Sequence, residues 1–84
     1  MVACAQMAPK TKKIDPRREA LQALGSRIQR WRKDKALTQA ELAEALDISV
    51  AYVSLIERGA RNPPITTVLT IARTLGVSPA MLVE

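Results

Sequence analysis

Residues 38–59 read TQAELAEALDISVAYVSLIERG, and this stretch decides the fold. Thr38 stands where a helix N-cap belongs, and Glu41 completes a capping box by reaching back to the cap's backbone N–H. Leu42, Ala43 and Leu46 then recur at helical spacing on one face. Asp47-Ile48-Ser49 breaks the pattern, and Ser49 is placed to cap a second helix. Val53 and Ile56 supply the buried face of that helix, and Gly59 suits the left-handed conformation that ends it. The stretch therefore predicts two short helices joined by a tight turn.

Working outward, Asp15-Pro16 reads as the start of a first helix, with Asp15 as cap and Pro16 at the first helical position. Leu21, Leu24, Ile28 and Trp31 form its apolar stripe. Gly25 interrupts good helix formers at a cost of roughly 0.5–1 kcal/mol relative to Ala. It either permits close approach of another helix or divides a leader helix from the main one. Downstream, Ala60-Arg61-Asn62-Pro63-Pro64 must be loop, because consecutive prolines cannot continue a helix. Val68, Leu69, Ile71, Ala72 and Leu75 predict a fourth helix ended by Gly76. Ser78-Pro79 restarts a short fifth one through Ala80, Met81, Leu82 and Val83. Residues 1–14 carry no period and are expected to be a flexible basic arm, leaving 15–84 as the folded domain.

Composition agrees with an all-α bundle of five helices. Phe is absent, and Trp31 and Tyr52 are the only aromatics in 84 residues. A core this small supplies only a few kcal/mol, so a partner subunit would help it. The formal net charge is +5, unevenly spread: residues 1–35 hold ten Lys or Arg against three acids, and residues 36–84 hold three against five. A basic half favours a polyanionic partner. Two short helices and a tight turn on such a chain fit a helix-turn-helix, which presents a helix to the major groove of DNA.

Other chemistries lack their residues. With no His and a single cysteine, Cys4, neither a metal site nor an intrachain disulfide can be assembled. No cofactor and no small-molecule ligand is indicated, and no catalytic constellation is present: Glu41, Glu44 and Asp47 are spaced as a solvated helix face. No apolar run reaches membrane-spanning length, and a cytoplasmic protein is expected.

LGSRIQRWRKDKALTQAELAEALDIS (24–49) and YVSLIERGARNPPITTVLTIARTLGVS (52–78) together resemble the lambda-repressor-like (Cro/C1 or Xre-type) DNA-binding domain. The resemblance covers about Leu24–Val83, and the TQ-x-ELA start, IERG helix end and LGVS tail come in the family's order. Tyr52-Val53-Ser54, Glu57-Arg58-Gly59 and Arg61-Asn62 look most like restriction–modification controller proteins. It implies that Ser49 and Val50 open a recognition helix whose Val50, Ala51 and Leu55 face base edges. Tyr52 and Ser54 would face bases or phosphates. Thr38 and Gln39 open the preceding helix at the family's phosphate site, and Arg58, Arg61 and Asn62 follow the recognition helix where relatives grip the backbone. Arg32 and Glu57 match positions of a structural ion pair.

The expected function is a sequence-specific transcriptional regulator that binds double-stranded DNA at a roughly palindromic operator. It would act as a homodimer, with RNA polymerase as a further partner. Apolar residues beyond the needs of one small core, Leu69, Met81, Leu82 and Val83, are expected at the dimer interface, with Leu69 and Leu82 as the preferred contacts. The alternatives are a DNA-binding antitoxin of a toxin–antitoxin pair and a protein–protein adaptor that does not bind DNA.

Overall fold

The computed structural model of the chain describes residues 16–83. The arm expected over 1–14, the cap Asp15, Cys4 and Glu84 lie outside the described residues. Five helices follow one another: α1 (Pro16–Asp34), α2 (Gln39–Leu46), α3 (Val50–Glu57), α4 (Ile65–Leu75) and α5 (Ala80–Val83). No strand occurs among the described residues.

The periodic apolar positions converge on one core. Ile28 of α1, Leu42 and Ala43 of α2, Val53 and Ile56 of α3, Val68, Ile71, Ala72 and Leu75 of α4 and Leu82 of α5 are buried together. Leu24, Trp31 and Tyr52 pack against this cluster from its rim. Burying each Val, Leu and Ile of this set contributes roughly 1.5–3 kcal/mol, which offsets the ordering of the short helices that carry them.

Four helices close in the same way. After α1, α2, α3 and α4 the chain turns through a left-handed residue: Ala36, Asp47, Gly59 and Gly76, with φ between 58° and 76°. In each case two backbone N–H groups fold back on the last turn. Gly59 N–H donates to the Ile56 carbonyl at 3.0 Å and Ala60 N–H to that of Leu55 at 2.9 Å. Ala36 N–H likewise reaches Lys33 at 2.9 Å and Leu37 N–H reaches Arg32 at 3.0 Å. These are Schellman closures, which satisfy carbonyls the helix leaves unpaired. Gly59 and Gly76 fill the position without strain, whereas Ala36 and Asp47 hold it against a steric penalty.

Gly25 does not divide the first helix, for α1 runs unbroken through it. It is buried, and a Cβ there would lie 2.4 Å from the Ile56 carbonyl oxygen and 2.5 Å from that of Glu57. Its absent side chain lets α1 seat directly on the end of α3.

One expectation is corrected at the C-terminus. Leu82, assigned above to a dimer interface, is 0% exposed and belongs to the protomer's own core, whereas Met81 and Val83 are 44% and 58% exposed. A single helical turn can aim only one of three successive side chains inward, and packing selects Leu82. That helix also begins at Ala80, one residue later than Pro79, its turn tightened by Met81 N–H donating to the Ser78 carbonyl at 2.9 Å.

Candidate nucleic-acid interface

The interface is built from the two caps upward. Thr38 Oγ1 accepts from Glu41 N–H at 3.0 Å, and Thr38 N–H donates to Glu41 Oε1 at 2.8 Å, a complete capping box that fixes where α2 begins. Ser49 Oγ accepts from Tyr52 N–H at 3.0 Å and fixes the start of α3. Between them Asp47 takes φ 58°, ψ 45°, so the chain reverses within the three residues Asp47-Ile48-Ser49.

Behind α3 lies a buried polar network. Arg32 Nε donates to Glu57 Oε2 at 2.6 Å, and Arg32 Nη2 donates to Glu57 Oε1 at 3.1 Å. The third guanidinium nitrogen, Nη1, donates to the Leu37 carbonyl at 2.7 Å. Gln39 Nε2 completes the set by donating to Glu57 Oε1 at 2.9 Å. Arg32 and Glu57 are 7% and 6% exposed, so their fork-to-fork pairing is made largely out of water. The network joins α1, the α1–α2 loop, the first residue of α2 and the last residue of α3. It therefore fixes α3 relative to the helix-turn-helix start.

Gln39 thus has a second task that its place at the head of α2 did not signal. A buried carboxylate seeks more donors than one guanidinium edge supplies, and the nearest amide provides the next. Its NH₂ group has two hydrogens, and the bond to Glu57 uses one.

Outward, α3 presents little polarity. Val50 is 45% exposed and Ala51 is exposed beside it at the helix start. Leu55 and Ser54 are half-buried, and Tyr52 is half-buried with its ring against the core. Arg58, Arg61 and Asn62 are exposed in sequence order along the exit from α3. Arg58 Nε lies 3.4 Å from the Ser54 carbonyl, which draws its side chain back along the helix. The expected base-facing residues therefore divide into two open ones at the start of α3 and three half-buried ones, of which Tyr52 packs against the core.

A second apolar surface was only partly visible in the sequence. Leu69 is 43% exposed on α4, and Ile65, one turn earlier on the same face, is 65% exposed. Nothing in the periodicity marked Ile65, because the prolines before it hid where the helix begins. Among the described residues, no group of three or more His, Cys, Asp or Glu side chains gathers to hold a metal. No described helix is long and apolar enough to cross a membrane.

Comparison with known proteins meets this geometry directly. Residues 28–82 match a family model described as helix-turn-helix. The chain is 43% identical over 60 residues to an uncharacterised HTH-type transcriptional regulator of Sinorhizobium fredii, covering 71% of this chain and 78% of that one. Among solved structures, the restriction–modification controller protein C.AhdI of Aeromonas hydrophila superposes with a TM-score of 0.71 at 34% identity, covering 74% of this chain and 94% of that chain. SinR, a Bacillus subtilis regulator solved in complex with DNA, superposes with a TM-score of 0.68 at 35% identity, covering 73% of this chain and 98% of that chain. Other curated relatives are longer: the chain spans 42% and 47% of the length of the next two that it matches.

Proposed function

We propose, from the premise that this chain belongs to the helix-turn-helix family of lambda-repressor-like transcription regulators, that it binds a roughly palindromic operator as a homodimer. The observation that carries this reading is the contrast within α3: its inner face is pinned by Arg32, Glu57 and Gln39, while Val50 and Ala51 stand open at its start. A helix held so firmly and left so bare on its outer side is suited to enter a major groove.

In the complex, Val50, Ala51 and Leu55 meet thymine methyl groups, since none of them carries the forked donors that read guanine or adenine. Tyr52 and Ser54 add single hydrogen bonds. Thr38 and the second amide hydrogen and backbone N–H of Gln39 grip a phosphate at the head of α2, and Arg58, Arg61 and Asn62 grip the backbone past α3. The remaining specificity comes from half-site spacing and from DNA that deforms easily between the half-sites.

The second copy docks on the C-terminal half through Ile65 and Leu69 of α4 and Met81 and Val83 of α5, each more than 40% exposed. A two-fold axis there sets the two recognition helices about 34 Å apart, one turn of DNA. Occupying the operator then controls RNA polymerase by exclusion or contact. Control of a restriction–modification system is the finer reading, supported by the likeness to the Aeromonas controller protein over nearly all of that protein's length.

Titration of the protein with duplex DNA at several salt concentrations tests the DNA reading. Log affinity is expected to fall linearly with log salt, by about 0.9 per phosphate neutralised. Arg61→Ala should weaken every sequence alike and remove about one such contact from the slope. Affinity that does not respond to salt would overturn the reading.

A further inference from the structure

The leading turns of α1 and the exit of α3 enclose an open groove of about 420 Å³, of whose lining the reading above uses only Arg58 and Asn62. Arg17, Arg18 and Gln22 line it from α1, and Arg58, Gly59 and Asn62 line it from the other side. No carboxylate is among its lining residues. Arg18 and Arg58 bring two guanidinium groups to one groove with no acid among its lining residues, and an anion between them relieves their repulsion. The planar fork of arginine matches a phosphate better than any other common anion-binding side chain does.

Backbone contact holds the walls in place. Gly59, at φ +76°, approaches α1 so closely that a Cβ there would lie 2.8 Å from Gln22 Cα. One turn further along α1, Gly25 makes its own contact with the carbonyls of Ile56 and Glu57. Two glycines, one from each partner, thus seat α1 on the end of α3. Arg18 lies one turn before Gln22 and is exposed, so a rigid helix carries it beside Arg58. Arg17, Arg18 and Gln22 all precede residue 28, where the family match begins, so this wall lies outside the matched segment.

We infer that this groove takes a further phosphate of the bound DNA, with Arg18 and Gln22 of α1 contacting the backbone next to the phosphate gripped by Arg58. The inference rests on the DNA-binding reading and extends its contact surface onto α1.

The test uses the full chain, a random-sequence duplex, and salt titrations of wild type, Arg18→Ala, Arg61→Ala and Arg73→Ala, the last removing an exposed cation from α4. Arg18→Ala should lower the salt slope by about 0.9, so that the wild-type advantage shrinks about threefold between 50 and 200 mM salt. Arg73→Ala should leave the slope unchanged. The amide resonances of Gln22 and Gly59 should shift when duplex is added to wild type. A wild-type slope for Arg18→Ala beside a reduced one for Arg61→Ala would overturn the groove and leave DNA binding standing. Shifts at Gln22 and Gly59 with inorganic phosphate but not with duplex would also overturn it. Absence of any salt slope in wild type would remove the DNA reading and the groove together.

Discussion

The two sides of α3 are made of different material. On the inner side, Val53 and Ile56 are buried, Glu57 accepts three hydrogen bonds from Arg32 and Gln39, and Gly25 brings the α1 backbone against the helix's last carbonyls. On the outer side, Val50 and Ala51 project from the first turn, and the charged residues come only after the helix has ended. On the proposed reading, placement of α3 and base readout by it are therefore separable. Substitutions inside should change stability, and substitutions outside should change what is bound while the fold persists.

The strongest challenge to that division is Glu57→Ala. It strands the buried Arg32 guanidinium and takes away the acceptor of Gln39, and losses of this kind cost about 3–5 kcal/mol. In a domain of this size, such a loss removes much of the total stability. Thermal or urea denaturation should show it, and a melt within a degree or two of wild type would mean that the network does not hold α3. Gly25→Ala comes next. Its Cβ would meet backbone oxygen atoms that cannot rotate away, so α1 must lift from α3 at a cost of about 1–3 kcal/mol. The same denaturation measurement applies, with the expectation that DNA affinity falls with the displaced helix.

Ala36→Gly is expected to stabilise the supporting side. Ala36 sits at φ 60° in the closure of α1, a conformation that costs an alanine about 1–2 kcal/mol and glycine almost nothing. After the extra entropy of glycine in the unfolded chain, a gain of about 1 kcal/mol is expected, or roughly 4–8 °C in Tm. DNA binding should not change, because the closure lies on the supporting side.

The same division explains what was legible in the sequence. Local chemistry announced the caps: Thr38 with Glu41, Ser49, and the glycines at 59 and 76 all act within four residues of themselves. The core followed from period alone, and the five helices with it. Arg32 and Glu57 are 25 residues apart, and only family resemblance brought them together on paper. No pattern marked the bond from Gln39 to Glu57, since an amide at a helix start has many possible partners until the fold supplies one. Ala36 gave no sign of its left-handed turn because alanine ordinarily avoids it. In the one-turn α5, periodicity cannot tell Leu82 from Met81, and only packing decided which was buried.

Base readout is proposed to lie at the outer start of α3, with Val50 and Ala51. Selection from a pool of random duplexes, carried out with wild type and with Val50→Arg, tests it most directly. Arginine at this exposed position brings a forked donor that pairs with guanine O6 and N7. Wild type should select sites whose α3-facing positions are rich in A·T pairs, arranged as two half-sites about one turn apart. Val50→Arg should keep that spacing and its thermal stability while acquiring guanine at one position of each half-site. Identical selected sites for the two proteins, or a wild type that already demands guanine at several α3-facing positions, would contradict it.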